Sequence, residues 1–408
     1  MTLFGVCEGI NVCVMRNITA AIEFGTSKVI CIIGRGKSIG RFEVLGSGVA
    51  SYEGIKGGRW VKPCNVEDAV SKALYIAERK ARKRVKEVYI GIPGVFCKVV
   101  CQEGFASVGS GYVTQQNVDE FIRSAEEFYD DPKYAIVSGS PVYFMLDDGE
   151  RYIDVIGSRT SQLRGKVAFI LVRKQYIKDV SDVLMRAGVK VRGCIPEILA
   201  ESLFLVPAEE RDASAVLLNV GFYDTNVTVV YGDAVVYNRT IHAGGMHITN
   251  DLSLVLSIDL DMAEQLKKQY SFGLENTGTK LYDYARPKGG GRVEKFSHSL
   301  VSEIIEARVE HLCHLIYEAF EHSPISIARR TRIFLSGGGL SMMKGAKDIL
   351  GRLLKRQVRS ARIEAPQLST PNYYTALALL DYVFEGEYTD EGKGAKLLKR
   401  LSDKMYDR

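Results

Sequence analysis

The stretch Ala20–Gly34, AAIEFGTSKVICIIG, decides how the rest of the chain is read. Two apolar runs rich in β-branched residues, Ile18–Phe24 and Val29–Ile33, flank Gly25-Thr26-Ser27-Lys28. This is the pattern of two strands joined by a tight turn of small residues. Such a turn can hold a phosphate. Gly25 lets the backbone approach an anion, successive N–H groups and the Thr26 and Ser27 hydroxyls can donate to it, and Lys28 adds positive charge. Glu23, just ahead of the turn, could hold metal-bound water. Taken alone, the same residues also describe an ordinary hairpin, because short motifs match by accident.

Two further elements bear on that choice. Ala215–Val220, the turn Gly221-Phe222-Tyr223-Asp224 and Thr225–Tyr231 repeat the strand–turn–strand plan about 195 residues later, which suggests duplicated halves facing one cleft. Arg332–Ser336 then runs as a strand into Gly337-Gly338-Gly339, with a helix expected from about Lys344 to Leu354. Strand, glycines and helix together are a common seat for a nucleotide against a helix N-terminus.

The totals narrow the function classes. The 408 residues suffice for two to four domains, and 46% hydrophobic with 25% charged residues is ordinary globular composition. Of the net charge of +5, four charges sit in residues 393–408, where six basic residues face Asp403 and Asp407. The body is near neutral, which argues against a general nucleic-acid binder. The basic run Arg79–Lys86 reads as a solvated helix face. The eight cysteines form no Cys-x-x-Cys pair, and His311, Cys313 and His314 lie along one helical run without converging on a tetrahedral site. Reduced, cytosolic thiols fit best. No apolar run reaches the ~18 residues of a membrane span. Residues 1–15 lack the basic start of a signal peptide and read as an extension ahead of a possible start at Met15.

Between these landmarks the pattern alternates strands and helices. Phe42–Ala50 reads as a strand and about Val66 to Val85 as a helix, with Asn65 as N-cap. Residues 87–172 change character, with extended runs at Glu87–Ile92 and Phe96–Val108, a helix near Gln115–Tyr129, and strands at Ala135–Leu146 and Gly165–Val172. This is an α+β module inserted into the first domain. Lys174–Ala187 forms a helix closed by Gly188. A strand over Val189–Ile195 then leads to a helix near Glu197, a carboxylate able to orient a water. Gly244-Gly245 opens a long helical region in which Glu264 and Lys267 share a face. Glu294–Glu321 and Tyr373–Phe384 read as helices. A polar linker then leads to Lys396–Asp407, where Leu397, Leu398, Leu401 and Met405 fall within about a 100° arc beside Lys399, Arg400 and Lys404. That is a basic amphipathic helix suited to a membrane surface.

IEFGTSK, LLNVGFYDTNV, HAGGMHITNDLSLVLSIDLDMAEQLK and IFLSGGGLSMMKG, in this order and spacing, resemble the phosphate 1, phosphate 2, domain 2B and adenosine motifs of the actin-like ATPases. The closest resemblance is to the bacterial cell-division family FtsA, over about residues 16–408. VYIGIPGVFCKVV resembles the start of that family's inserted domain 1C. The resemblance implies an α/β, two-lobed, actin-like (ribonuclease-H-like) fold carrying an SHS2-type insertion. Subdomain 1A would take residues 16–86 with 173–195 and 365–385, and 1C residues 87–172. Subdomain 2A would take 196–242 with 328–364, and 2B 243–327. A linker at 386–395 and a membrane-targeting helix at 396–408 would complete the chain.

The resemblance also implies ATP with Mg between the lobes. Gly25, Thr26, Ser27 and Lys28 would meet the phosphates, Gly337, Gly338 and Gly339 the nucleoside, and Glu264 and Lys267 the ribose and base, with Gly221, Thr225, Gly244 and Gly245 also in the nucleotide site. Glu197 matches the family's junction acid. Implied partners are FtsZ, further copies of the chain in filaments, other divisome proteins through 1C and the membrane through the tail. The implied place is the cytoplasmic face of the membrane at the division site. Two departures stand out. Glu23 replaces the usual Asp, and the second hairpin offers Asn219, Phe222, Tyr223 and Asp224 where the family has an Asp and a glycine-rich turn with threonines. Asn219 lacks the carboxylate that orients Mg-bound water, Phe222 and Tyr223 carry Cβ atoms where glycine permitted close approach, and Asp224 repels phosphate. Hydrolysis is expected to be slow or absent. The alternatives are a pilus-assembly actin homologue and a kinase on the same fold.

Overall fold

The computed structural model describes residues 18–38, 41–60, 65–126, 131–273, 281–285, 293–361, 363 and 368–388. The N-terminal extension, Lys288–Gly291, most of the linker and the amphipathic tail with Leu397, Leu398, Lys399, Arg400, Leu401, Lys404 and Met405 lie outside them.

The chain opens with β1 (Ile18–Phe24), β2 (Lys28–Ser38) and β3 (Arg41–Ser51), followed by a minimal hairpin of β4 (Ile55–Lys56) and β5 (Arg59–Trp60), α1 (Val66–Ala81) and β6 (Glu87–Ile92). The inserted module comprises β7 (Cys97–Ser107), α2 (Gln115–Glu126), β8 (Tyr134–Met145), β9 (Arg151–Tyr152) and β10 (Gln162–Arg173). The chain then returns through α3 (Lys174–Arg186), β11 (Lys190–Pro196) and α4 (Glu197–Leu205). The second half runs through α5 (Ala208–Asp212), β12 (Ala215–Val220), β13 (Thr225–Tyr231), β14 (Ala234–Ile241), α6 (Gly245–Leu256), α7 (Leu260–Gln269), β15 (Leu281–Ala285) and β16 (Val293–Ser297). It continues with α8 (His298–Glu321), β17 (Arg332–Ser336), α9 (Ala346–Leu354), β18 (Val358–Ser360) and α10 (Tyr374–Tyr388).

The two main sheets share one plan. In the first, ordered β11-β6-β1-β2-β3, β1 is antiparallel to β2 and parallel to β6. In the second, ordered β14-β13-β12-β17-β18, β12 is antiparallel to β13 and parallel to β17. The central strands are apolar on both faces because both faces are covered. Ile22, Ile30, Ile32 and Ile33 are wholly buried, each contributing about 1.5–3 kcal/mol. Glycine sets the distance between α1 and its sheet. A Cβ at Gly46 or Gly48 would run into the helix backbone at Ala77 and Ala73, so the alanine face of α1 lies directly on β3.

The inserted sheet, ordered β7-β10-β8-β9, packs α2 on one face through Phe121. Val142 and Ala168 from this module join the core of the second lobe with Val236 of β14. The module thus leaves from and returns to the first lobe while packing on the second.

Several local readings needed correction. Residues 293–297 form β16, paired with β15, and the helix starts at His298 rather than Glu294. Helix α1 stops at Ala81, where Arg82 adopts left-handed geometry. Asn65 makes no side-chain cap, and its Oδ1 accepts from the Glu53 N–H at 3.2 Å instead. Helix α10 carries on to Tyr388, into the expected linker. Strand β14 completes a meander that the sequence pattern did not mark.

Candidate functional site

The two hairpin turns meet at one cleft. In the first, the Gly25 N–H donates to the Lys28 carbonyl at 3.0 Å, closing the turn, and the Tyr52 hydroxyl donates to the Gly25 carbonyl at 2.8 Å. The Ser27 carbonyl accepts from the Tyr52 N–H. In the second, the Gly221 N–H donates to the Asp224 carbonyl at 2.9 Å, repeating the same closure.

Three glutamates lie beneath the first turn. Strand β11 runs straight into α4, so Glu197 and Glu201, one helical turn apart, face the same way. Glu23, at the end of β1, joins them, and all three are buried. Glu201 Oε1 accepts from Asn219 Nδ2 at 2.6 Å and from the Thr375 hydroxyl. Glu23 Oε2 and Glu197 Oε1 are buried without a hydrogen-bond partner among the described residues. Gly91 leaves room for this arrangement, since a Cβ there would stand 2.5 Å from Glu197 Oε1. Burial raises Glu23 to about 8, opposed by Lys28 and assisted by the charge on Glu201. Burial and the other two carboxyls push Glu197 well up, and burial also raises Glu201. Lys28 is pulled down by its own burial against the attraction of Glu23. At neutral pH Glu23 therefore holds a proton, and a protonated carboxyl does not organise metal-bound water as a carboxylate does.

The second-lobe side is closed by backbone. The Gly245 N–H donates to the Gly221 carbonyl at 2.9 Å, Met246 N–H to Phe222 at 2.8 Å, and Gly339 N–H to Val220 at 2.8 Å. A Cβ on Gly244 or Gly245 would meet its nearest neighbours at 2.7 Å, and one on Gly339 would collide with Gly221. Gly337 turns at φ +86° beside Asn219. Gly338 faces Asn372 instead. The Thr225 hydroxyl is spent on the Ala243 carbonyl at 2.6 Å. Lys267, buried, donates to the Gly245 carbonyl at 3.1 Å and to Thr249 Oγ1 at 2.9 Å, and pairs with Glu264 at 2.5 Å. Glu264 also accepts from the Thr249 hydroxyl at 2.6 Å.

Across the cleft the turns touch. The Tyr223 N–H donates to Thr26 Oγ1 at 3.2 Å, and Lys56 Nζ lies 4.9 Å from the centre of the Tyr223 ring. Phe222 supports that ring edge-on at 4.7 Å. Asp224 is buried behind the tip, with one oxygen 2.9 Å from His242 Nδ1 and the other without a partner among the described residues.

Contacts thus link both hairpins, Glu197, Glu264, Lys267 and the third glycine run, but the arrangement differs from a phosphate cradle. The orphaned oxygens of Glu23 and Glu197 suit a polar ligand. The Thr26 hydroxyl, the first amides of α6, the Gly339 amide, Glu264 and Lys267 already have protein partners. Among the described residues no group of three or more acids, histidines or cysteines stands ready to hold a metal ion. In this closed form the residues present do not fit ATP with Mg. Sequence reasoning missed Glu201, Thr375 and the contact between the turns. Only the offset of four residues between Glu197 and Glu201 was visible beforehand.

The sequence profile described as Cell division protein FtsA matches residues 216–378. The chain is 25% identical to the cell division protein FtsA of Neisseria meningitidis, covering 88% of this chain and 89% of the relative. The Pseudomonas aeruginosa and Escherichia coli FtsA proteins are 22% and 23% identical, each over 93% of this chain and over 95% and 94% of their own lengths. Among solved structures, the PilM-PilN type IV pilus biogenesis complex aligns with a TM-score of 0.61 at 17% identity, over 91% of this chain and 99% of that one. MreB5 of Spiroplasma citri bound to ADP aligns at 0.53 and 12% identity, over 94% and 99%. These structures establish a two-lobed actin-like fold. Along nearly its whole length this chain is similar in sequence to FtsA proteins, with the motifs in order on that fold and a departure in its second phosphate turn.

Proposed function

We propose that this chain is an FtsA-type scaffold of cell division, tying the tubulin-like ring protein FtsZ to the cytoplasmic face of the membrane, with nucleotide hydrolysis weak or lost. In this reading the basic amphipathic segment at 396–408 holds the lipid, the inserted module meets other division proteins, and the chain self-associates. The single observation that carries the loss of hydrolysis is the direct contact of Tyr223 with Thr26, backed by Asn219 where a carboxylate is required. A proton-holding Glu23 beneath the turn points the same way, because it is then not a ready base. Among the described residues no helix is long and apolar enough to cross a membrane, so attachment falls to the surface-seeking tail.

Co-sedimentation with anionic vesicles tests the tether. The full chain should carry FtsZ down, while a chain ending at Gly392, or one with Leu398→Glu and Leu401→Glu, should leave it in solution. Carriage of FtsZ by the shortened chain would refute it. Calorimetric titration with Mg-ATP tests the cleft, with no binding or only weak binding expected. Tight binding with steady phosphate release would refute the decayed cleft while leaving the tether intact. The pilus-adaptor reading has the PilM likeness in its favour, but at 17% identity this speaks for fold alone.

A further inference from the structure

Strand register and helix packing gather a predominantly basic edge at one end of the first lobe. Ile18 of β1 pairs with Arg35 of β2, Arg35 with Glu43 of β3, and Lys190 of β11 with Glu87 of β6. These residues therefore share one end of the sheet, remote from the hairpin turn at Gly25. Helix α1 reaches the same end, since Gly46 of β3 lies against Ala77 and Ala81. The segment that follows, Arg82-Lys83-Arg84-Val85-Lys86, crosses beneath the sheet edge to enter β6.

This crossing is built. Glu78 accepts from the Val85 N–H through its side chain at 2.7 Å, and its carbonyl accepts from the Arg82 and Lys83 N–H groups. The Lys86 carbonyl accepts from the Lys190 N–H at 2.9 Å, tying the crossing to β11. Arg82, Lys83, Arg84, Lys86 and Lys190 are all exposed, and among the described residues none makes an ion pair with an acid. Glu87 is the exposed acid among them, while Glu43 is engaged by Lys37 at 3.3 Å.

The carboxyl end of α10 reaches the same end of the lobe on the opposite face of the sheet. Leu380 lies against Gly34, and Phe384 stacks on Phe42 of β3 at 5.8 Å. Helix α10 therefore ends at the same end of the lobe, across the sheet from the basic edge, with Asp381 and Glu385 on its last turns. Cations spread along an edge suit a broad anionic surface. We infer that this edge is a second lipid contact, laid against an anionic bilayer when the tail inserts, so that the first lobe stands on the membrane in a fixed orientation. This deepens the tether reading and rests on it.

The test partitions the full chain and two variants between buffer and vesicles. One variant carries Lys83→Glu, Arg84→Glu, Lys86→Glu and Lys190→Glu; the other carries Leu398→Glu with Leu401→Glu. Vesicles are either phosphatidylglycerol in phosphatidylcholine or phosphatidylcholine alone. Each basic residue near anionic lipid is worth about fivefold in affinity. With four such residues reversed, the edge variant should lose about a hundredfold or more on anionic vesicles, with little change on neutral ones and an unaltered melting temperature. The unmodified chain should lose its excess on anionic vesicles as salt is raised. The tail variant should lose binding on both vesicle types. Equal partition of the edge variant and the unmodified chain overturns the inference while leaving the tail reading standing. Failure of the unmodified chain to bind either vesicle removes both. An edge variant that binds vesicles normally but no longer binds polyglutamate would assign the edge to an acidic protein partner and overturn the lipid assignment.

Discussion

Replacing Glu23 by glutamine is the most direct perturbation of the cleft. In the folded chain Glu23 titrates near 8, against 4.5 when unfolded. The folded state therefore binds the extra proton between these limits, and stability falls as pH rises across that window. The full shift corresponds to about 5 kcal/mol, at about 1.4 kcal/mol per pH unit. The glutamine side chain keeps the shape, removes the titration and offers an amide to the orphaned Oε1 of Glu197. Urea denaturation at a series of pH values reads the difference. Near pH 5 the two proteins should have similar stability, and by pH 8.5 the variant should be ahead by several kcal/mol. In thermal melts that gap would be about 5–10 °C for a protein of this size. Parallel stability curves across the whole window would mean that Glu23 is ionised in the folded chain, and the account of a proton-holding cleft would fail.

Three other substitutions probe neighbouring parts of the site. Gly339→Ala forces a methyl against the Gly221 carbonyl and should cost about 3 kcal/mol or more in urea unfolding, whereas a loss under 1 kcal/mol would mean that the glycine junction yields freely. Lys267→Met strips the donor from the Gly245 carbonyl and Thr249 and leaves Glu264 only the exposed Lys268, 3.5 Å away; because Glu264 is also partly exposed, about 2 kcal/mol is expected in urea unfolding rather than the larger penalty of a fully buried pair. Thr26→Val removes the acceptor for the Tyr223 N–H, and hydrogen exchange at that amide should quicken about fivefold, the equivalent of one ordinary hydrogen bond of about 1 kcal/mol. Unchanged exchange there would show that the two turns are held together by other contacts.

The hairpins and glycine turns were legible because they are local. A β-branched run, a small-residue turn and a second run leave little choice of structure, and their repetition indicated two halves. Glu201 was illegible for the opposite reason. In AESLFL it reads as one acid in a helix, and its partners Asn219 and Thr375 come from a strand 18 residues on and a helix 174 residues on. Glu264 and Lys267 were rightly seen to share a helical face, but periodicity does not say what that face meets, and it meets Gly245 and Thr249. Val293–Ser297 was absorbed into the following helix because its strand character comes from pairing with β15. The basic run Arg79–Lys86 reads as a solvated face and its charged residues are indeed exposed, while only the assembled sheet sets Lys190 at the same end.

The hydrogen bond from Tyr223 to Thr26 has a consequence for timing. Cytoskeletal polymers that burn nucleotide carry an internal clock, since each subunit ages after it joins and eventually lets go. Under the proposed loss of hydrolysis, a subunit whose turns are clasped by the Tyr223 N–H on the Thr26 hydroxyl would not age in that way. A ring attachment made of such subunits would be governed by how much protein the cell makes and by how long its partners stay, and a drop in cellular energy charge would leave it in place.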